Sequence, residues 1–178
     1  MQINFIQAKG GQGTSVTTGA VALHAAHGGW QVRLDGHDRA TLAAILGVSG
    51  DGPVIPGLIL GAADEEGYDL VVHDGPAGDG VGLLVLRPCY LALRQALTSG
   101  MCTTAAGVVL VAEPGRALED KDVAAVTALA VIATIPVRAD IAQAVDAGVL
   151  ADRLPEALAT AAGQILHVAA TLSGREVA

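Results

Sequence analysis

The chain alternates short apolar runs with alanine-rich stretches whose apolar residues recur at helical spacing. The apolar runs are continuous, which is typical of strands that are buried on both faces of a sheet. Strand, helix and strand following one another in this order favour a parallel sheet joined by crossover helices. We therefore predict an α/β fold of three layers, in which a mostly parallel sheet has helices on both faces.

The same patterns give the expected elements. The predicted strands are residues 3–6, 30–34, 68–73, 82–86, 108–112 and 131–135. The predicted helices are residues 14–27, 39–46, 90–97, 119–129, 141–145 and 154–168. Residues 49–56 are rich in glycine and proline and predict a loop, whereas 58–60 are ambiguous. Without an internal repeat or linker, we predict a single domain over 1–172 and a frayed tail over 173–178.

Composition limits the classes of protein to which the chain can belong. Its 178 residues suffice for one domain with a substantial core. Hydrophobic residues make up 52% and aromatic residues only 2%, so alanine, valine, leucine and isoleucine must build that core. Charged residues reach only 16%, which excludes a disordered chain and an ordinary coiled coil.

Charge and hydropathy restrict location and partners. The net charge of -8 makes the chain a poor general binder of polyanions. No apolar run has the length of a membrane span, about 18 residues, and the N-terminus lacks the basic and apolar regions of a signal peptide. Two cysteines without a CxxC spacing suit a reducing compartment. We therefore expect a soluble, cytoplasmic protein.

The most informative segment is the loop AKGGQGTS at 8–15, between the first predicted strand and the first predicted helix. Glycines let such a loop curl so that its N–H groups point at an anion. The helix that follows adds the positive end of its dipole. Ser15 stands where a phosphate-binding loop places the hydroxyl that binds Mg²⁺. The segment therefore predicts a phosphate site, and the alternative is a tight turn without a ligand.

Two carboxylates follow predicted strands. Asp35 and Asp74 each stand at the end of an apolar run, and so at the carboxyl edge of the sheet, where ligands bind in such folds. Together with Ser15 they predict an Mg²⁺ site, because Mg²⁺ takes few carboxylates beside phosphates and water. The alternatives are a solvated loop carboxylate for Asp35 and a turn-capping side chain for Asp74.

The segment KGGQGTSVTT resembles the deviant Walker A motif of the ParA/MinD P-loop ATPases, usually KGGxGK followed by serine or threonine. Further segments are similar to family segments in the same order: VRLDGHDRATLAAILG to the second strand and acidic motif, YDLVVHDGPAG to the Walker A′ strand, and RPCYLALRQAL and IPVRADIAQAVDAGVL to later ones. The resemblance implies a P-loop NTPase-like fold with ATP and Mg²⁺ as cofactors. It also implies a nucleotide-dependent, dimerising switch in DNA partition or protein positioning.

The resemblance assigns roles within the loop. Lys9 matches the signature lysine, which in the family reaches across a dimer to the partner's phosphates, and so counts among the catalytic residues. The nucleotide-binding residues implied here are Lys9, Gly10, Gly11, Gln12, Gly13, Thr14 and Ser15. Of these, Ser15 is also the implied Mg²⁺ ligand.

Outside the loop, the resemblance assigns three further positions. Asp35 matches the aspartate that positions or activates the attacking water. Asp74 matches the Walker A′ aspartate near Mg²⁺. The segment from Pro136 to Arg138 lies where family members contact the base, which makes both residues candidates for nucleotide binding.

Two positions depart from the family pattern. Thr14 replaces the Walker lysine, and His37 replaces the second aspartate of the family's D-x-D motif. Losing one charged hydrogen bond costs about 1.5–3 kcal/mol, or about 10- to 150-fold in affinity. Transition-state charge is greater, so hydrolysis should suffer more than binding. Lys9 of a partner subunit would restore part of the lost charge and make nucleotide binding depend on dimerisation.

Two alternatives of other classes stay open. One is a pseudo-ATPase, which would serve as a scaffold or self-assembling adaptor without turnover, and Thr14 favours it. The other is a dinucleotide-binding fold, in which Gly11 and Gly13 would be the first glycines and Asp35 the later acid. The third glycine of that motif would fall at Val16, where it is absent.

Further partners follow from the resemblance. It implies a homodimer, a protein partner of ParB type and weak non-specific DNA binding, for which Arg87 and Arg94 are the candidates. The alternative is that these arginines are scattered surface charges. MinD-like proteins carry a basic amphipathic C-terminal helix, which the tail HVAATLSGREVA lacks. We therefore expect no membrane binding.

Overall fold

The computed structural model describes residues 1–61 and 67–174. The strands are β1 (Gln2–Ile6), β2 (Val32–Gly36), β3 (Gly52–Ile55), β4 (Leu58–Leu60), β5 (Leu70–Asp74), β6 (Val81–Leu86), β7 (Gly107–Ala112) and β8 (Val131–Pro136). The helices are α1 (Thr14–His27), α2 (Arg39–Leu46), α3 (Tyr90–Thr98), α4 (Met101–Thr104), α5 (Asp120–Thr127), α6 (Ala139–Asp146) and α7 (Glu156–Leu172).

The strands form one eight-stranded sheet in the order β3-β4-β2-β5-β1-β6-β7-β8. Neighbouring strands run parallel, except that β3 and β4 are antiparallel at one edge. The predicted mostly parallel sheet is therefore confirmed. Strands β2 to β5 lie on one side of β1 and β6 to β8 on the other, so the order reverses at β1. Ligands bind at such a switch point, beyond the carboxyl ends of the strands.

Helices cover both faces of the sheet, which confirms the three-layer prediction. Side chains alternate along β1, so Ile3 and Phe5 join the larger core with α1, α2 and α7. Ile6 points to the other face and joins a second core with Leu93 of α3 and Val123 of α5. Phe5 is fully buried and is the largest of these side chains. The sheet is thus the shared layer of two cores.

Helix α1 is buried along most of its length and carries the glycine loop at its start. Its alanines pack under the sheet, where Ala20, Ala22 and Ala25 are at most 1% exposed. Two buried threonines return their hydroxyls to the backbone, with Thr17 Oγ1 donating to Gly13 O at 2.9 Å and Thr18 Oγ1 to the carbonyl one turn earlier at 2.8 Å. The hydroxyls of both buried threonines are thus hydrogen-bonded. The well-packed helix therefore holds the end of the glycine loop in place.

Most predicted elements are present, and one prediction is wrong. Helices 14–27 and 39–46 have the observed bounds, and the other elements that were predicted shift at their ends. Residues 49–56 are not all loop, because Gly52–Ile55 forms the edge strand β3. Pro53 is compatible with that position, since an edge strand leaves one row of backbone groups unpaired. The ambiguous residues 58–60 form β4.

The helix α4 was not predicted, because a single turn is too short to show a periodic pattern. The last four residues of the predicted frayed tail, 175–178, lie outside the described residues. The single domain over 1–172 stays a prediction. Within the two described ranges, no helix has the length and apolar character needed to cross a membrane.

Candidate functional site

The loop between β1 and α1 emerges from the centre of the sheet at its carboxyl edge. Gly11 (φ 77°) and Gly13 (φ 93°) adopt left-handed conformations that other residues rarely take. Gly13 also lies close to β7, since a Cβ there would be 3.3 Å from Val111 Cγ2. The first backbone hydrogen bond of α1 runs from the Thr17 N–H to Gly13 O at 3.0 Å. The helix N–H groups that precede it have no carbonyl four residues back within α1 and so suit an anion.

Thr14 occupies the position where the family motif has lysine. It is only 2% exposed, and its Oγ1 donates to Gln7 Oε1 at 2.7 Å. This bond joins the first turn of α1 to the residue that leaves β1. The position therefore carries no charge, and its hydroxyl is already partnered within the loop.

Gln12 fixes the tip of the loop to the neighbouring strand β6. It is 3% exposed, and its Oε1 accepts the backbone N–H of Arg87 at 2.8 Å. The amide nitrogen of Gln12 donates a long bond to Gly10 O at 3.5 Å. Lys9 and Gly10, which precede it, are exposed. The loop thus has an anchored side toward β6 and an open outer edge.

Ser15 in the first turn of α1 and Asp74 at the end of β5 are in direct contact. Ser15 Oγ donates to Asp74 Oδ2 at 2.5 Å. Asp74 is only 8% exposed. Its burial raises the pKa of the carboxyl above the ordinary value, against the opposing effects of the Ser15 hydrogen bond and the nearby His73. The structure brings these two predicted metal ligands together, and their binding of a metal stays a prediction.

The oxygen donors of this pair fit Mg²⁺. A hydroxyl beside a carboxylate is a small set of hard ligands, which Mg²⁺ supplements with phosphate oxygens and water. Within the described residues, no cluster of three or more histidine, cysteine or acidic side chains is placed to hold a metal ion. A cation at Ser15 and Asp74 would therefore depend on the phosphates of a ligand, and it would favour the ionised form of Asp74.

Asp35 does not join this pair. In the register of the sheet, Asp35 of β2 lies opposite His73, whereas Gly36 lies opposite Asp74. Because successive side chains of a strand point to opposite faces, Asp35 and Asp74 leave the sheet on different faces. Asp35 Oδ1 accepts the N–H of Gly36 at 2.8 Å and lies 4.0 Å from Arg39 Nη1. The structure thus does not bring Asp35 together with Asp74 and Ser15, and the role of Asp35 in the site stays a prediction.

His37, the second departure from the family motif, lies beside the end of β5. Its backbone N–H donates to Asp74 O at 3.2 Å. The ring of His37 meets that of His73 edge-on, with 5.7 Å between the ring centroids. The ring also covers Gly75, where a Cβ would lie 2.4 Å from His37 Cδ2. An aromatic side chain thus packs where the motif has a carboxylate.

A pocket of about 230 Å³ adjoins the inner end of the glycine loop. Pro136 and Arg138, the predicted base-contact residues, line it together with Gly13. The other lining residues are Val16, Thr17, Arg87, Val111, Ile135, Val137, Ile141, Ala142, Val145 and Asp146. Most of these side chains are apolar, which is typical of small-molecule sites. The structure therefore brings the loop and the predicted base-contact segment to one pocket.

Two arginines add charge to this pocket. Arg138 is paired with Asp140, through Nε to Oδ1 at 3.0 Å and Nη2 to Oδ2 at 3.3 Å. The place of Arg87 in the pocket is new, because its sequence context makes it a candidate only for DNA contact. A signal was present, since an arginine directly after an apolar strand stands at the edge where such folds bind ligands.

Comparisons with known proteins bear on the fold. No protein-family model and no curated protein matches the sequence. Among solved structures, the septum site-determining protein MinD of Pyrococcus horikoshii OT3, complexed with Mg-ADP, is similar with a TM-score of 0.78 and 19% identity, over 97% of each chain. The cell division ATPase MinD of Pyrococcus furiosus is similar with a TM-score of 0.76 and 19% identity, over 94% of this chain and 99% of that one.

The chain has the ParA/MinD-type fold. A ParA family ATPase from Chlorobium tepidum TLS is also similar, with a TM-score of 0.67 and 16% identity over 94% of this chain and 98% of that one. The ParA/MinD-type P-loop fold that the loop sequence predicts is thereby confirmed. Identities this low carry the fold alone, so the roles of individual residues rest on the geometry described above.

Proposed function

We propose that the protein is a nucleotide-dependent, dimerising switch of the ParA/MinD kind, which acts in DNA partition or protein positioning. The observation that carries this proposal is the Ser15–Asp74 contact at the mouth of a glycine loop. In this fold, such a pair beside free helix N–H groups is suited to a nucleotide phosphate with Mg²⁺. The similar MinD structure with Mg-ADP supports the same ligands here.

Different residues of the site would bind different parts of the nucleotide. The backbone of Gly10 to Ser15 would hold the phosphates, and Ser15 Oγ with the Asp74 carboxylate would hold Mg²⁺. The ion would supply positive charge that neutralises the phosphates. Pro136 and Arg138 would contact the base in the adjoining pocket. All of these assignments use the residues where the structure places them.

Hydrolysis would be weak or slow. Thr14 offers a neutral hydroxyl already bonded to Gln7, so the charge that develops on a transferred phosphoryl group meets no lysine from this position. Asp35 is the sequence-based candidate for positioning water, and its place on the opposite face of the sheet argues against that role. Nucleotide binding with little turnover is the behaviour of a switch that resets slowly.

Dimerisation rests on Lys9. This side chain is exposed at the outer edge of the loop, as a lysine that reaches a partner's phosphates must be. Lys9→Ala is expected to lower both nucleotide affinity and nucleotide-dependent self-association, measured by calorimetry and by light scattering after size exclusion. If Lys9→Ala binds ATP and self-associates like the parent, a lysine supplied in trans is excluded.

The test of the proposed function is a titration with ATP·Mg²⁺ and ADP·Mg²⁺ by calorimetry. The parent is expected to bind both, and Thr14→Lys to bind about 10- to 150-fold more tightly because it restores one charged hydrogen bond. Ser15→Ala is the matched control in the same turn, and it is expected to lose the Mg²⁺-dependent part of the affinity. Absence of binding in both the parent and Thr14→Lys would contradict the phosphate site itself.

A second candidate function is a pseudo-ATPase scaffold or adaptor without turnover. The hydrogen bond from the buried Thr14 to Gln7 favours it, because that bond joins the two ends of the loop without a ligand. Phosphate release separates the two functions. Turnover that depends on Ser15 and Asp74 supports the switch, whereas partner binding that ignores nucleotide supports the scaffold.

The partners and the location belong to the same proposal. A homodimer, a ParB-type protein partner and weak DNA contact through exposed Arg94 fit a partition switch. Such a protein would act in the cytoplasm without binding a membrane. Gel-shift titration of Arg94→Ala against the parent, with and without ATP, tests the DNA contact directly.

A further inference from the structure

Arg87 follows β6 and lies beside the glycine loop. Its backbone N–H donates to Gln12 Oε1 at 2.8 Å, so the arginine is tied to the loop itself. Arg87 lines the same 230 Å³ pocket as Gly13 and Thr17. A guanidinium here adds a full positive charge to the positive end of α1. Arg87 and the start of α1 therefore border the same pocket.

Glu113, the partner of Arg87, is shared with a second arginine. Arg87 Nη1 donates to Glu113 Oε1 at 2.6 Å, and Arg116 Nε donates to Glu113 Oε2 at 2.6 Å. Hydrogen bonds and charge from Arg116 and Arg87 lower the pKa of Glu113, which therefore stays ionised. Two guanidinium groups and one carboxylate leave the cluster with an excess of positive charge next to the pocket.

The side chain of Arg87 is incompletely satisfied. Its Nε is buried, and within residues 1–61 and 67–174 it has no hydrogen-bond partner. A buried donor without an acceptor costs free energy that a suitable ligand or a rearranged side chain recovers. If Arg87 turns to an anion, Glu113 keeps Arg116 as its partner. An exchange of partners therefore leaves no carboxylate unpaired.

We infer that Arg87 supplies the cation that position 14 lacks and binds a phosphate group of the nucleoside di- or triphosphate in this site. The inference rests on the proposed function, because the ligand is the nucleotide proposed above. A planar guanidinium can bind two phosphate oxygens at once, which suits it to replace a lysine that approaches as a point charge. Thr14 leaves the start of α1 without a charge, and Arg87, directly after β6, supplies one from the neighbouring strand end.

The first experiment compares Arg87→Gln with Arg116→Gln. Both variants remove one arginine from Glu113, and only Arg87 lines the pocket. Calorimetry with ADP·Mg²⁺ is expected to show a loss of about 10- to 150-fold for Arg87→Gln and little change for Arg116→Gln. Adenosine, which has no phosphate, is expected to bind both variants and the parent alike.

Two further variants separate phosphate binding from a structural role. Glu113→Gln frees Arg87 from its carboxylate, so ADP affinity is expected to rise about two- to fivefold, whereas loss of a merely structural pair would lower it or leave it unchanged. Thr14→Lys added to Arg87→Gln is expected to restore ADP affinity, because it returns a cation to the loop. Thermal unfolding of each variant checks that the fold is intact.

The outcomes are distinct. Parental ADP affinity in Arg87→Gln overturns the inference and leaves the proposed function standing. Equal losses in Arg87→Gln and Arg116→Gln, or an equal loss for adenosine and ADP, also overturn it. If Arg87→Gln does not fold, a fall or no change in ADP affinity in Glu113→Gln overturns the inference and a rise supports it. A parent and Thr14→Lys variant that both fail to bind ADP contradict the proposed function, and the inference with it.

Discussion

Asp35 and Asp74 stand at the carboxyl ends of neighbouring strands, yet only one of them reaches the glycine loop. Asp74 is buried and accepts the Ser15 hydroxyl at 2.5 Å. Asp35 is half-buried and lies near Arg39 on the other face of the sheet. The two carboxylates differ by a single step of register, because Gly36, not Asp35, is the residue opposite Asp74.

This difference shows that an acid at the end of a strand belongs to a site only if its side chain points to the correct face of the sheet. Side chains alternate between the two faces, so a shift of one residue changes the face. A carboxylate at the right edge of the sheet still misses the ligand if it is one residue out of phase. Gly36 also makes the position of Asp74 possible. A Cβ there would lie 2.8 Å from Asp74 Cβ, so the absence of a side chain leaves room for Asp74.

The largest expected effect is on Mg²⁺-dependent nucleotide binding. Asp74→Ala removes a metal ligand of the proposed site, so the affinity for ATP·Mg²⁺ is expected to fall about 10- to 150-fold. Asp35→Ala removes a carboxylate from the opposite face and is expected to leave that affinity nearly unchanged. Calorimetry of both variants with and without Mg²⁺ makes the comparison. A larger loss in Asp35→Ala would break it and place Asp35 in the nucleotide site.

The next effect is on stability and concerns the glycine between the two acids. Gly36→Ala would place a Cβ 2.8 Å from Asp74 Cβ and 3.0 Å from Asp74 O, so the strands must separate or Asp74 must shift. Overpacking of this kind is expected to lower the free energy of unfolding by about 1–3 kcal/mol, measured by urea denaturation. Gly10→Ala is the control, because a Cβ there meets no atom within 4 Å. Equal stability of Gly36→Ala and the parent would show that this close approach is not needed.

The fold was largely accessible from the sequence, because continuous apolar runs and alanine-rich helices are local signals. Helix α1 has the predicted bounds, and the mostly parallel sheet follows from the alternation of elements. The edge strand β3 was missed because Gly52 and Pro53 are turn formers, and their antiparallel pairing with β4 is set by tertiary contact rather than by propensity. Local pattern therefore predicts the centre of the sheet better than its edge.

The site was predictable only in part. Ser15 and Asp74 were expected together, and the structure brings them into contact. The place of Asp35 was not predictable, because the sequence predicted a strand over 30–34 and the strand extends to Gly36, with a register set by β5. The position of Arg87 after an apolar run indicates the ligand edge of the sheet, but its contact with the glycine loop was not predictable, since that contact depends on β6 lying next to β1. The positions of both residues are set by pairing between strands that are distant in sequence, which local patterns do not reveal.

The stability of the protein is expected to depend on pH through the buried carboxyl of Asp74. Burial raises its pKa in the folded state, so the folded protein retains a proton at pH values where the unfolded chain has lost it. Stability from this group is therefore present below its ordinary pKa of 3.8 and is lost as pH rises through the raised folded value. Asp74→Asn is expected to remove this loss and to be more stable than the metal-free parent at neutral pH.

Thermal unfolding of the parent and Asp74→Asn in chelator, over a series of pH values, measures the difference. Ser15→Ala adds a useful comparison, because the Ser15 hydrogen bond lowers the pKa of Asp74. Without that bond the pKa is expected to rise further, and the loss of stability moves to higher pH. Parallel pH profiles for the parent and Asp74→Asn would show that burial does not act on Asp74 in this way.

The smallest expected effect concerns the weak ion pair between Asp35 and Arg39. Arg39 Nη1 lies 4.0 Å from Asp35 Oδ1 but 3.1 Å from Asp51 Oδ2, and the Arg39 side chain is 41% exposed. Exposed pairs of this kind contribute about 0–1 kcal/mol. Double-mutant cycles in urea, with Arg39→Met combined with Asp35→Asn or Asp51→Asn, are expected to give a smaller coupling for Asp35 than for Asp51. A larger coupling for Asp35 would mean that Arg39 holds this carboxylate in place, and its position on the far face would then be an enforced one rather than a consequence of strand parity alone.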